Sequence, residues 1–428
     1  MRIEGGTIVA LSSGALPSGV AVVRISGPAA PKVAAALSIE DLTPRRAALR
    51  TLRAADGVID TALCLAFTAP ASATGEDVLE LHCHGSPAVV DRLLAEAVAV
   101  PGVRLAAPGE FTLRAVLSGK MGLTEAEALA DLIDARTEAE RRRAVRLAGG
   151  ALTRAAADVR EATLTALALC EAHIDFSDES DVPDGTPAVD SALRAIAGQV
   201  SALLAGAIDA DKLYEGFHVV LVGAPNAGKS SLLNAIAGRS VAIVSDEAGT
   251  TRDVVTLTVD LGGYRTIISD TAGLRAGAEG IEALGISRTR TTVAGADFVV
   301  EVRSADTAAV FDGAADVVVS HKADVAPVAG DLSTSVSDPE SIDRLTARLA
   351  EAAARHMARA ETALVTRARQ REVLEAARLA VENALSAQHL EVKAEGIRGA
   401  LQAVAQLTGE VGVEDVLDRV FSRFCIGK

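Results

Sequence analysis

Apolar and polar positions change rhythm along the chain, and the changes divide it. Between Thr7 and about Gly119 short apolar runs alternate with glycine and proline turns. Residues 19–27, 61–67 and 77–84 carry strand signals, while 29–37 and 86–100 space their apolar residues at helical intervals. That mixture predicts an α+β domain over 1–119. From Leu123 to Phe176 glycine is scarce, proline is absent and apolar residues recur every three or four positions, broken only at Gly149-Gly150. Helices are expected there. An acidic loop at 178–187 follows, and helical spacing returns over 188–214, closing a helical segment at 120–214. Residues 215–356 alternate strand and helix patterns, which predicts a mostly parallel sheet with covering helices. After about His356 helical spacing resumes and runs to Phe424. The segment 357–428 is therefore expected to complete a discontinuous helical bundle into which the 215–356 domain is inserted, and the fold class is multidomain α/β.

The sharpest local pattern opens that inserted domain. The apolar run 217–222 meets Leu221-Val-Gly-Ala-Pro-Asn-Ala-Gly-Lys-Ser230, and 230–237 continues as an amphipathic helix. Gly223 and Gly228 bracket four residues and precede Lys229-Ser230, the G-x-x-x-x-G-K-[ST] spacing whose backbone N–H groups cradle phosphates. Asn226, Ala227, Gly228, Lys229, Ser230 and Ser231 would form the cradle. Lys229 would hold the β- and γ-phosphates, the Ser230 hydroxyl would ligate Mg²⁺, and the helix N-terminus adds positive partial charge.

Two further segments fit the same chemistry. In Gly249-Thr-Thr-Arg-Asp253, Thr251 is placed to reach Mg²⁺ and the γ-phosphate. The run 264–269 ends in Asp270-Thr271-Ala272-Gly273, where Asp270 supports the Mg²⁺ and Gly273 can present its N–H to the γ-phosphate. Base selection falls to His321-Lys322-Ala-Asp324, similar to the Asn-Lys-x-Asp signature of GTPases. Asp324 would pair with the guanine N1–H and N2–H₂, and the Lys322 stem would cover the ring. His321 stands where that signature has Asn, and Thr334-Ser-Val336 is a candidate for the remaining base-contacting loop. A Ras-like P-loop G domain results. The residue after Gly273 is Leu274, which cannot orient a water, so Glu282 is assigned that role. Asn226 offers an amide oxygen for a monovalent cation beside the phosphates, in place of an arginine finger.

Composition narrows the partners. At 428 residues the chain exceeds one typical core, and a prior of about 150 residues per domain suggests three. With 42 Lys+Arg against 57 Asp+Glu the net charge is −15, which argues against a broad basic face for nucleic acid, so RNA contact should be local or delegated. Four cysteines, Cys64, Cys83, Cys170 and Cys425, have no paired spacing and imply neither a disulfide framework nor a zinc site. In His82-Cys83-His84 adjacent residues of a strand face opposite ways and no further ligand cluster is in sight, which argues against a metal site. No apolar run approaches the length of a membrane span, the N-terminus lacks a signal-peptide layout, and a cytoplasmic location with no membrane contact is expected.

Several motifs together resemble one family. Val23-Arg-Ile-Ser-Gly27, the stretch from Thr74 to Gly85 (TGEDVLELHCHG), Pro108-Gly-Glu-Phe-Thr112, Lys120, the run from Ala126 to Asp134 (AEALADLID), the G-domain motifs and the terminal Phe424-Cys-Ile-Gly-Lys428 are similar to the MnmE, or TrmE, family of tRNA-modifying GTPases. The resemblance covers nearly the whole chain. It implies a carboxymethylaminomethyl or aminomethyl group added at C5 of the wobble uridine of tRNA. The one-carbon unit would come from 5,10-methylene- or 5-formyl-tetrahydrofolate in the N-terminal domain, with Arg24, Glu80, Lys120 and Lys428 lining the folate site and Cys425 near the chemistry. The resemblance also implies a homodimer through the N-terminal domains, and an MnmG-type flavoprotein carrying FAD in a heterotetramer. The G domains would pair around K⁺ held by Asn226, Ser245, Glu247 and Thr250. The stretch 302–315 is shorter than usual for the family and trims the G domain. An Era-like ribosome-assembly GTPase is the alternative; it should carry a KH-like glycine loop in a basic context, and the sequence has none. A folate carrier in which the G domain is only a structural switch is the third reading.

Overall fold

A computed structural model describes residues 6–175, 185–207, 209–239, 241–242, 255–270, 293–307, 311, 313–409 and 427. The chain divides into two compact units, one of 1–130, 153–160 and 401–428, the other of 131–152 and 161–400.

The first unit is built on a six-stranded sheet of β1 (Thr7–Leu11), β2 (Ser18–Ser26), β3 (Ala48–Ala54), β4 (Gly57–Phe67), β5 (Val78–Gly85) and β6 (Val103–Leu105), in the order β3-β4-β5-β2-β1-β6. All pairings are antiparallel except β1 with β6. Along β2 the residues Ala21, Val23 and Ile25 enter one core, with α1 (Ala30–Ala36) and α2 (Pro87–Val98). Val90, Leu93 and Ala97 give α2 its buried stripe at steps of three and four, and Pro87 sits in its first turn, where the missing N–H costs nothing. The alternate residues Arg24 and Ser26 lie on the opposite face, as the two-residue period of a strand requires. On that side Ile8, Ala10 and Ala106 pack around Phe111 of α3 (Glu110–Leu117). Cys83 is buried in the core while His82 and His84 point away from it. Burial pushes the Cys64 thiol up to about 11 and raises that of Cys83, so both are packing residues.

Helices follow: α4 (Leu123–Asp134), α5 (Glu138–Ala148), α6 (Ala151–Asp175), α7 (Thr186–Ala207) and the single turn α8 (Lys212–Glu215). The break at Gly149-Gly150 falls between α5 and α6. A second break, before α5, is set by a capping box: Thr137 Oγ1 accepts from Glu140 N at 3.4 Å, and the Glu140 carboxylate accepts from Thr137 N at 3.2 Å. By length and composition the stretch Thr186–Glu215 would suffice to cross a membrane, although the sequence shows no unbroken apolar run. The buried residues of α7 form one stripe, Val189, Leu193, Ile196, Val200, Leu204 and Ala207, which is the pattern of a helix packed on one side.

The second unit holds a seven-stranded sheet of β7 (Phe217–Val222), β8 (Val241–Ala242), β9 (Val255–Leu261), β10 (Tyr264–Asp270), β11 (Phe298–Arg303), β12 (Val317–His321) and β13 (Leu332–Thr334), in the order β13-β12-β11-β7-β10-β9-β8. From β13 to β10 neighbouring strands are parallel, and β9 and β8 add an antiparallel edge. The parallel strands are apolar runs because both faces are covered. On one face lie α9 (Lys229–Ala237) and α10 (Pro339–Thr362), sharing a core with Phe217, Val219, Leu221, Leu232 and Leu345. Helix α10 runs straight through residue 356, so the boundary expected there falls inside one continuous helix. Helices α11 (Ala368–Ser386) and α12 (Leu390–Thr408) are the last of the described helices, and α11 packs along α7.

The N-terminal end of α5 is bolted to the sheet. Ala139 N donates to Gly263 O at 3.0 Å in the β9–β10 turn. Glu361 accepts from Arg142 Nε at 2.9 Å and from Tyr264 Oη at 2.6 Å. Arg143 is fully buried, stacks 4.5 Å over the Tyr214 ring, and donates to the carbonyls of Ala210 and Ala360. A buried guanidinium is tolerable only with such partners.

Candidate functional site

Strand β7 ends at Val222 in the middle of its sheet, and the chain turns through 223–228 into α9. Two glycines make that turn possible. Gly223 has φ +140°, and a Cβ there would meet Val302 O at 2.2 Å; Gly228 has φ +98°, and a Cβ would meet His321 Cδ2 at 2.3 Å. Asn226 also takes a left-handed φ of 65°. Lys229 is buried, and its Nζ donates to the carbonyl oxygens of Gly223 and Ala224, each at 2.9 Å, so the ammonium lies along the loop. Ser230 Oγ donates to Asp270 Oδ2 at 2.6 Å, and Asp270 is only 1% exposed. The sheet order explains the meeting: β10 lies parallel and next to β7, so its last residue ends level with the loop. An ammonium, the N-terminus of a nine-residue helix, and the oxygens of Ser230 and Asp270 together fit a phosphate chain and Mg²⁺.

The other end of the site is built by β12 and β13. His321 lies opposite Thr334 in the register, and its ring is 1% exposed, with Nδ1 3.0 Å from Thr334 Oγ1. Burial, then the neighbouring Lys322 ammonium, lowers the His321 pKa, while Asp324 opposes the shift. Lys322, with φ 57°, donates from Nζ to Asn226 O and to Asp306 Oδ2, both at 2.9 Å. Asp306 is held down at about 2 by the Ser304 hydroxyl and by Lys322. Asp324 is exposed, and the Ser335 hydroxyl keeps its carboxyl below the ordinary range, so it is ionised at neutral pH. The structure thus gathers Asn226, Ala227, Gly228, Lys229, Ser230, Ser231 and Asp270 at one end, and His321, Lys322 and Asp324 at the other. Ser304 and Asp306 were missed in the sequence, because nothing in their spacing connects them to Lys322. The predicted site residues Ser245, Glu247, Thr250, Thr251, Thr271, Ala272, Gly273 and Glu282 lie outside the described residues.

In the first unit Arg24 and Glu80 are directly opposite on β2 and β5, and Arg24 Nε donates to Glu80 Oε1 at 2.9 Å. The Arg24 guanidinium stacks 5.6 Å from the Phe111 ring, and His82 Nε2 lies 3.4 Å from Glu80 Oε2. Lys120 is exposed beside the Gly75 turn, where a Cβ on Gly75 would come 3.7 Å from its Cε. Gly427 packs on the backbone of Leu11, so close that a Cβ would meet Leu11 O at 1.7 Å. Cys425 and Lys428 lie outside the described residues.

Behind this pair runs a buried charge network that the sequence pattern did not disclose. Glu110 accepts from both Arg104 nitrogens at 2.6 and 2.7 Å, from Arg114 at 3.0 Å and from Ala107 N at 2.9 Å. Arg114 also donates to Glu76 at 2.8 Å, and Glu76 accepts from Ser26 Oγ at 2.7 Å, which in turn lies 2.7 Å from Thr74 Oγ1. Ser26, Thr74, Glu76 and Glu110 come from three of the motifs noted above, and the network ties those segments together. The Arg-Glu step of four residues on α3 was the one local signal for it.

The fold and this two-ended site define a P-loop G domain within a multidomain α/β protein. Comparison with known proteins carries the assignment further. The family model described as MnmE helical domain matches residues 123–425, and that of the GTP-binding protein TrmE N-terminus matches 7–120. The chain is 46% identical over 438 residues to a tRNA modification GTPase MnmE of Azorhizobium caulinodans, covering 100% of both chains. It is 46% identical over 442 residues to that of Methylobacterium radiotolerans and 44% over 433 residues to that of Brucella anthropi, covering at least 98% of every chain. The chain belongs to the MnmE family of tRNA modification GTPases.

Proposed function

We propose that this protein hydrolyses GTP in the modification of tRNA. The observation that carries the reading is the Ser230–Asp270 pair beside the Lys229 loop, set at the opposite end of one site from an ionised Asp324. Lys229, the loop N–H groups and Ser231 bind the phosphates. Ser230 and Thr251 would hold Mg²⁺, with Asp270 supporting it through the Ser230 hydroxyl, and the ion would neutralise phosphate charge. Asp324 accepts two hydrogen bonds from guanine, with Lys322 fixing the base-reading segment to the loop. Glu282 orients the attacking water. Asn226, Ser245, Glu247 and Thr250 would hold K⁺, which would supply positive charge beside the phosphates. The domain layout 1–119, 120–214, 215–356 and 357–428 belongs to this reading.

The modification chemistry is proposed as the addition of a carboxymethylaminomethyl or aminomethyl group at C5 of the wobble uridine, with a tetrahydrofolate as one-carbon source. Arg24 and Lys120, with Lys428, suit the glutamate carboxylates of a folate, and Glu80 suits the N–H donors of its pterin. Cys425 lies three residues from the last and serves the one-carbon step. A homodimer, an MnmG-type partner with FAD and a cytoplasmic location complete the proposal; with a net charge of −15 the partner carries much of the RNA contact. The test is mass spectrometry of wobble uridines from cells lacking this protein. Loss of the modified nucleosides is expected, and unchanged nucleosides overturn the tRNA reading. GTP turnover by the purified chain tests the hydrolase separately.

A further inference from the structure

We propose that His321 is a positioning residue whose ring sets the spacing between the phosphate loop and the guanine-reading segment, joining the two ends of the nucleotide site into one rigid frame. This rests on the guanine-nucleotide reading above. The ring bridges two elements that share no backbone pairing. On one side Nδ1 meets the Thr334 hydroxyl at 3.0 Å; on the other, the Cδ2–Nε2 edge lies over Gly228, where a Cβ would be 2.3 Å from Cδ2 and 3.0 Å from Nε2. Gly228 opens α9, and the ring fills the space that a side chain there would take, so it is packed against the loop backbone. Thr334 O accepts from Ala323 N at 3.2 Å, next to Asp324, and the following Ser335 hydroxyl lowers the Asp324 pKa. The bridge therefore runs from the phosphate cradle to the carboxylate that reads the base.

A second link exists from Lys322 Nζ to Asn226 O, but it is part-exposed, and a long flexible side chain in contact with water fixes little. The imidazole has two rotatable bonds, is nearly fully buried and is wedged between strand and loop, so it carries most of the rigidity. Burial disfavours the charged ring, and the neutral form is the one the cleft holds. Asp324 on the base side opposes that tendency and Lys322 reinforces it.

A frame of this kind matters only to ligands that touch both ends. Holding two subsites in fixed register makes the second contact effectively intramolecular. The test compares GDP, which spans the site, with guanosine and inorganic pyrophosphate, which each occupy one end, in the wild-type full chain and in His321→Ala, Thr334→Val and the double variant. GDP affinity is expected to fall about tenfold or more in His321→Ala and about fivefold in Thr334→Val, roughly the worth of one buried hydrogen bond. The double variant should be no weaker than His321→Ala alone. Guanosine and pyrophosphate should change less than about twofold, and kcat at saturating GTP less than the GDP affinity. Guanosine binding that falls as far as GDP binding, or losses that simply add in the double variant, would overturn the proposal. If His321→Ala does not fold, Thr334→Val, which keeps the side-chain shape, decides by the same comparison. Wild-type protein that fails to bind GDP overturns the nucleotide reading itself and is recognised before any variant is made.

Discussion

Ser230 Oγ donates to Asp270 Oδ2 across 2.6 Å, joining the first turn of α9 to the last residue of β10. The two residues are 40 positions apart in the chain, and the parallel pairing of β7 with β10 brings them together. Both are oxygen ligands of the kind Mg²⁺ takes. Ser230→Ala should therefore weaken GTP by about ten- to hundredfold when Mg²⁺ is present and much less in chelator, the range expected for losing a hydrogen bond or ligand contact to a charged centre. Titration with fluorescent GTP in the two conditions measures the difference; equal losses in both would detach Ser230 from the metal.

Gly223 is intolerant of any side chain. Its φ of +140° and the 2.2 Å approach of Val302 O leave no room for a Cβ. Gly223→Ala should cost at least about 2 kcal/mol of stability, through strain plus overpacking. Gly238→Ala is the control: Gly238 has a helical φ of −70° and its nearest contact would be 3.6 Å away, so the change should be neutral or stabilise by up to about 1 kcal/mol. Urea midpoints of the two variants should move apart, in opposite directions or with Gly238→Ala unmoved.

Asp324 is the base selector in the proposed function. Its exposed carboxyl, lowered further by the Ser335 hydroxyl, is ionised at neutral pH and able to accept two guanine N–H groups. Asp324→Asn should turn preference from GTP to xanthosine triphosphate, because an amide can donate where the carboxylate only accepts. Competition between the two triphosphates gives the answer, and a variant that still prefers GTP removes Asp324 from that role.

Glu110 gives the N-terminal unit an acid limit. Burial raises the Glu110 pKa, but the Arg104 guanidinium, the Ala107 N–H and Arg114 together bring it below the ordinary 4.5. A carboxyl with a depressed folded pKa contributes stability above its unfolded value and loses it as pH falls through the folded one. The network's contribution is therefore full above about pH 4.5 and disappears in stronger acid. Glu110→Gln removes the carboxylate that Arg104 and Arg114 share, although Arg114 keeps Glu76, and should cost about 2 kcal/mol at neutral pH. The urea midpoint of the variant, followed downward in pH, should converge on that of the wild type below about pH 4.5; a constant gap would show that the charge is not what matters.

Much of the fold was legible because its signals are local. The strands 217–222 and 264–269, the helices from Ala30 and Pro87 and the break at Gly149-Gly150 are written in periodicity and in glycine, and periodicity is set by neighbours a few residues away. The helix Pro339–Thr362 crosses residue 356 because its apolar stripe, Ile342, Leu345, Leu349 and Met357, runs on past that point. Strand β6 was missed for another reason: three residues cannot establish a period.

Within the site, the turn between β7 and α9 was legible in the sequence alone, since Gly223 and Gly228 bracket it and its backbone needs no distant partner. That part of the geometry is determined by the order of residues. The contacts of His321 with Gly228 and Thr334, of Lys322 with Asp306, and of Glu110 with Arg104, Arg114 and Ala107 are mostly of another kind. Each forms because strand order and register, or a helix laid across a sheet edge, set side by side groups whose spacing in the chain announces little. Buried polar groups must find partners wherever the packing puts them, and only the tertiary structure decided which partners those were.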